Sequence, residues 1–128
     1  MKVCKIFTWD AAHQLILPYE SKCKNIHGHT YKVEVEIEGE PDEFGIVMDF
    51  GELKRRVENV SFDHMALNTF KGDRDGIQAK GWMKSNPTAE NIVFILKEKL
   101  GLQWKPRDPK ISRIRVWETP TSWAEECW

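Results

Sequence analysis

Long apolar runs are missing from this chain. No stretch of apolar residues is long enough to cross a bilayer, so no membrane partner is expected. The opening segment MKVCKIFTWDAAH alternates polar and apolar residues and lacks the apolar centre of a secretory signal. Cysteine is scarce. Cys4, Cys23 and Cys127 are the three present, and an odd number cannot all pair within one chain. They read as free thiols in a reducing compartment, and the cytoplasm is the expected location. Charge of one sign is lacking too: 19 basic residues nearly balance 20 acidic ones, for a formal net charge of −1 at pH 7. No basic field is available to hold a nucleic-acid backbone, so no nucleic-acid partner is expected. Without such a field the six tryptophans read as packing rather than as base-stacking platforms. There is no repeat and no low-complexity tract. At 128 residues, 41% hydrophobic and 30% charged, the chain fits one soluble domain over 1–128.

What is present begins with strands. Residues 2–9, KVCKIFTW, are rich in β-formers. In TYKVEVEIEG, 30–39, Tyr31, Val33, Val35 and Ile37 alternate with Lys32, Glu34, Glu36 and Glu38, the period of a strand with one buried face. A helix follows, with Asp49 as N-cap, Glu52 three residues on, and Phe50, Leu53, Val57 and Val60 on one face. Residues 68–87 carry three glycines and mixed charges and read as a long loop. Thr88 caps a second helix whose apolar stripe is Ala89, Ile92, Val93, Leu96 and Leu100, ending at Gly101. ISRIRVWET is a strand with Ile114, Val116 and Glu118 on one face and Arg113, Arg115 and Trp117 on the other. TSWAEECW closes the chain as an edge strand. The order β-β-α-α-β-β predicts an α+β domain: a four-stranded antiparallel sheet with both helices on one face. Its two edges need cover, and joining sheets between subunits provides it.

The chemistry concentrates in the four histidines. His27 and His29, in CKNIHGH, lie two apart and project from one strand face. Two imidazoles so placed can meet one ion, and zinc suits neutral imidazole. His13, just beyond the first strand, supplies a third ligand if the two strands pair. Three protein ligands leave one position open, the pattern of a catalytic zinc. The same H-x-H pair also occurs on ordinary surface strands, and Cys23 as a fourth ligand would make the site structural and inert. Cys23 itself sits between Lys22 and Lys24, which favour a thiolate base or nucleophile; an idle surface thiol fits the same sequence. Asp63 precedes His64, and a carboxylate beside an imidazole orients it as a proton relay; a capped turn is the alternative. Glu118 points a carboxylate where Ile114 and Val116 point apolar groups. It therefore calls for donors, from a ligand, an arginine or water at the strand end.

Taken in order, FTWDAAH, CKNIHGH, GIVMDFGELK, FDHMALN, NPTAEN and VWET resemble the 6-pyruvoyltetrahydropterin synthase and 6-carboxytetrahydropterin synthase family over nearly the whole chain. The Cys-x-x-x-His-Gly-His spacing looks like the 6-carboxy-5,6,7,8-tetrahydropterin synthase branch of queuosine biosynthesis. The pyruvoyl synthases usually carry a longer gap, and a further branch replaces the cysteine with glutamate. The resemblance implies the tunnelling fold (T-fold), in which trimers close an oligomeric barrel and two trimers stack into a homohexamer with active sites between subunits. Cys23 and the Asp63–His64 pair are then drawn from different chains.

The implied substrate is the pterin triphosphate 7,8-dihydroneopterin triphosphate. The implied products are 6-carboxytetrahydropterin, acetaldehyde and triphosphate, which makes the chain a zinc-dependent lyase. The roles implied are Zn2+ on His13, His27 and His29, proton transfer by Cys23, Asp63 and His64, and a bidentate Glu118 contact to the pterin. A pyruvoyl synthase losing triphosphate only, and a non-catalytic zinc-stabilised pterin-binding module, are the alternatives. The 69–85 loop is longer than in compact bacterial members. Lys71, Arg74, Lys80 and Lys84 within it are candidates for holding triphosphate.

Overall fold

The computed structural model describes residues 1–70 and 81–128. Two long strands, β1 (Lys2–His13) and β2 (His27–Glu38), pair antiparallel over their whole length. Strand β1 runs four residues past Trp9. Asp10, Ala11 and Ala12 have little strand propensity of their own, but pairing to Thr30, His29 and Gly28 holds them extended. The same register sets His13 opposite His27 and Ala11 opposite His29. Strands β4 (Lys110–Thr119) and β5 (Ser122–Cys127) extend the sheet antiparallel beyond β2, and β5 is the edge.

The expected four-stranded antiparallel sheet is corrected in one respect. A fifth strand, β3 (Met65–Ala66), pairs parallel to β1 at Ala11 and Ala12, so the sheet is mixed, in the order β3-β1-β2-β4-β5. Two residues cannot display a period; only the tertiary contact makes them a strand.

The two helices, α1 (Phe50–Glu58) and α2 (Ala89–Gly101), cover one face. Leu53 and Val57 of α1 and Ile92, Val93, Leu96 and Leu100 of α2 join one core with Tyr31, Val33, Val35, Ile37, Ile114 and Val116. Both expected caps form: Asp49 Oδ1 accepts from Glu52 N at 3.0 Å, and Thr88 Oγ1 from Asn91 N at 3.2 Å. The Glu52 carboxylate does not close a capping box. It accepts instead from Arg55 and Arg56. Gly101 stays helical, with Leu102 as the right-handed cap. On the opposite sheet face Arg113 bonds Glu36, Arg115 bonds Glu125, and Trp117 Nε1 donates to Glu34. No helix among the described residues is long and apolar enough to cross a membrane.

The segment after Asn68 is not all loop. Trp82 N donates to Ala66 O at 3.0 Å and Met83 N to Leu67 O at 2.8 Å, and both side chains are buried. Gly81 permits this docking, because a Cβ there would meet Asn68 Cα at 2.6 Å. Lys71, Arg74 and Lys80 lie outside the described residues; Lys84 is exposed.

Arg56 ties α1 to the segment after α2. It is 5% exposed, donates to Asp108 Oδ2 at 2.7 Å and Glu52 Oε1 at 2.8 Å, and lies over the Trp104 ring. Removing one partner of such a pair leaves a carboxylate poorly solvated, and the exposure of Glu52 keeps the cost toward the lower end of the buried range. Arg56→Ala is expected to lose about 2–3 kcal/mol, read from urea unfolding; a loss too small to measure refutes the account. Its bonds from Arg55 and Arg56 hold the Glu52 carboxyl at about 2 instead of 4.5, and Arg56 likewise lowers Asp108. A depressed folded-state carboxylate stabilises above its ordinary range and stops doing so as it is protonated. Stability therefore falls as pH drops from about 4.5 toward 2, less steeply in Arg56→Ala.

Candidate metal centre and active site

The β1–β2 register brings His13, His27 and His29 together, with one ring nitrogen of each lying within 4.8 Å of the others. Hydrogen bonds fix how two of the rings are presented. His13 Nδ1 is 2.8 Å from Pro87 O, and His27 Nδ1 is 2.7 Å from Asn25 O. A carbonyl only accepts, so both Nδ1 atoms carry the proton and both Nε2 atoms are bare lone pairs. Those two Nε2 atoms face each other at 3.0 Å with no proton to share. His29 Nε2 is buried and has no hydrogen-bond partner.

Protonation is a poor remedy for this crowding. Burial pushes His13 down to about 4, and burial pushes His29 down as well. A divalent cation relieves every term at once: it separates the facing lone pairs and satisfies the orphaned nitrogen. The donor set therefore fits a metal ion.

Asparagines that the sequence reading passed over hold the chain where it leaves the centre. The Asn68 side-chain amide accepts from the backbone N–H of Gln14 and donates to its carbonyl, and the Asn86 amide does the same to Ile16. Between them Leu15 N donates to Cys23 O at 3.0 Å. The Leu15–Cys23 bond ties the 3-10 turn Lys22–Lys24, which carries Cys23, to the residues just after β1. Asn68 and Asn86 lie inside the quoted FDHMALN and NPTAEN motifs, but nothing in a lone sequence says what an asparagine clamps.

Glu118 reaches the centre. Its Oε1 lies 3.5 Å from His29 Nε2, and its side chain is 26% exposed. A cavity of about 560 Å³ opens here, lined among others by His29, Lys32, Trp117, Glu118 and Thr119. A second, of about 590 Å³, shares Gly28, His29 and Thr30 and extends to Asp10, His64 and Phe70.

His64 lines that second cavity, with Asp63 beside it. His64 Nδ1 is 3.0 Å from Asp63 Oδ1. Both are pinned to the backbone of Asp10, whose N–H donates to Asp63 Oδ1 and whose carbonyl accepts from His64 N at 2.6 Å. The Asp10 N–H and the His64 ring hold the Asp63 carboxyl below its ordinary value. The docking puts His64 in the left-handed region, φ 59°, and leaves its side chain 79% exposed. Cys23 belongs to neither titratable cluster and lines neither of these cavities. Its thiol is free and partly exposed, like that of Cys4; Cys127 is free and exposed. One chain thus joins Glu118 to the histidine triad and sets His64 on a cavity that His29 also lines, while Cys23 lines neither cavity.

A sequence model of the family described as 6-pyruvoyl tetrahydropterin synthase matches residues 2–127. A Haemophilus influenzae protein named 6-carboxy-5,6,7,8-tetrahydropterin synthase is 36% identical over 140 residues, covering 97% of this chain and 96% of its own. A Pyrococcus furiosus protein named dihydroneopterin monophosphate aldolase is 34% identical over 113 residues, covering 87% and 83%. The structure of Caenorhabditis elegans 6-pyruvoyl tetrahydropterin synthase matches at a TM-score of 0.78 and 25% identity, over 100% of this chain and 95% of that one. The match takes in both long strands, the triad they carry and Glu118, and the chain belongs to the 6-pyruvoyl tetrahydropterin synthase family.

Proposed function

We propose that this chain is a 6-carboxy-5,6,7,8-tetrahydropterin synthase. It converts 7,8-dihydroneopterin triphosphate to 6-carboxytetrahydropterin, acetaldehyde and triphosphate, the step that feeds queuosine synthesis. The observation that carries the reading is the Glu118 carboxylate 3.5 Å from the inward nitrogen of His29, beside a cavity of ligand size. Glu118 accepts the paired N–H donors of the pterin's amino-pyrimidine edge. The substrate side chain then lies over the histidine triad. Zinc, when bound there, supplies Lewis acidity toward the side-chain oxygens.

His13, His27 and His29 hold that ion, with two rings oriented by the carbonyls of Pro87 and Asn25. Cys23 removes a proton from the bound side chain. Asp63 orients His64 for proton exchange on the other face. The separation of Cys23 from Asp63–His64 within one chain supports a site completed by a neighbouring subunit. So does the outer edge of β1, which among the described residues pairs with β3 only at Ala11 and Ala12. A homohexamer built as a dimer of trimers accommodates both.

Incubating the zinc-loaded enzyme with 7,8-dihydroneopterin triphosphate tests the reading. Stoichiometric acetaldehyde and 6-carboxytetrahydropterin are expected. Triphosphate release with a 6-pyruvoyl product and no acetaldehyde would reassign the chain to the pyruvoyl branch. The monophosphate is the control substrate, since a relative at 34% identity is named for cleaving it. Turnover of the monophosphate alone would make this chain an aldolase.

A further inference from the structure

Tyr31 is a buried, hydrogen-bonding group to which the chemistry above gives no task. It is fully buried and lies two residues beyond His29 on the same face of β2. Its hydroxyl is 3.2 Å from His13 Nδ1. That nitrogen has one proton and directs it at Pro87 O, 2.8 Å away. The tyrosine oxygen is then the second acceptor of a forked bond. The ring cannot swing aside. It stands edge-on to His13 and His29, with centroids 6.1 Å and 5.6 Å away, and Phe62 backs it at 5.3 Å.

We propose that Tyr31 is a positioning residue for the metal ligand His13: its hydroxyl oxygen shares the Nδ1 proton with the Pro87 carbonyl, aiming Nε2 at the ion and strengthening it as a donor. The inference rests on reading the triad as a metal centre. Two acceptors on one N–H draw the proton outward and leave more electron density on the opposite ring nitrogen. They also fix the ring plane from two directions, where one carbonyl would leave it free to tilt. Partners of this kind are worth about 10–100-fold in metal affinity. Pro87 keeps the shorter bond, so the lower end applies here.

The test is zinc affinity of the full chain, measured by competition with a chromophoric chelator, for the parent and for Tyr31→Phe. Phenylalanine keeps the ring packing and removes only the oxygen. Zinc binding about tenfold weaker is expected, with the metal-free melting temperature and far-UV spectrum unchanged. Unchanged affinity in a folded Tyr31→Phe overturns the inference and leaves the metal centre standing. A parent chain that binds no zinc overturns the metal reading and the inference with it.

If Tyr31→Phe does not fold, the parent supplies the answer. It has two tyrosines, so ring-labelled protein gives two Cζ signals, assigned with Tyr19→Phe. Zinc is expected to move the Tyr31 signal as the shared proton redistributes; a stationary signal overturns the proposal.

Discussion

Cys23→Ala is expected to turn over about a thousandfold more slowly than the parent while keeping its zinc and its fold, the range lost when a positioned proton-transfer group is removed. The structure separates these outcomes because what holds Cys23 is backbone. Its carbonyl accepts from Leu15 N at 3.0 Å, and its own N–H donates to Ser21 Oγ at 3.2 Å. Truncating the side chain touches neither bond. The thiol is partly exposed and belongs to no metal-ligand cluster, so alanine leaves no buried polar atom unpaired and opens no cavity in the core. Steady-state rates with 7,8-dihydroneopterin triphosphate, paired with zinc content per chain, make the measurement. Normal turnover removes Cys23 from the chemistry. Loss of zinc along with turnover places the sulfur on the ion, as the zinc-stabilised module requires.

That measurement also bears on what a sequence can disclose. Faces were legible. Tyr31, Val33, Val35 and Ile37, and then Ile114, Val116 and Glu118, follow a period of two, and their sides survive in the structure because a one-residue slip would have turned every one to solvent. The odd carboxylate on an apolar face pointed to Glu118 before any contact was visible; its neighbour proves to be His29. Helix starts were legible too, since Asp49 and Thr88 satisfy backbone donors within three residues of themselves.

What the sequence hid is long-range. Strand β3 exists only because Ala11 and Ala12 are there to pair with it, and residues 10–13 are strand only because β2 lies alongside. Trp82 and Met83 sit in a polar, glycine-rich stretch whose local composition says loop, yet they dock on Ala66 and Leu67. Asn68 and Asn86 each clamp a backbone more than fifty residues away. The left-handed backbone of His64 follows from its bond to Asp10, which no local pattern encodes.

Whether the histidine triad holds zinc is tested by His27→Ala. Free energies of roughly 10–16 kcal/mol for a four-ligand zinc site put about 3 kcal/mol on each ligand. Zinc affinity should therefore fall at least about a hundredfold, and turnover should fall with occupancy. The effect on the metal-free protein runs the other way. With Nδ1 of both rings committed to carbonyls, His13 and His27 hold bare Nε2 atoms 3.0 Å apart, a repulsion the parent carries whenever the ion is absent. His27 is only partly buried and lies outside the hydrophobic core, so its loss costs little packing. Metal-free His27→Ala should accordingly melt no lower than the metal-free parent. Zinc at about a hundred times the parent's Kd should stabilise the parent by about 2.7 kcal/mol and the variant by no more than about 0.4 kcal/mol. Thermal melts of both chains, with and without zinc, give the four values needed. A metal-free variant that melts well below the metal-free parent would mean that the facing nitrogens share a proton after all, and the argument for a cation between them would fail.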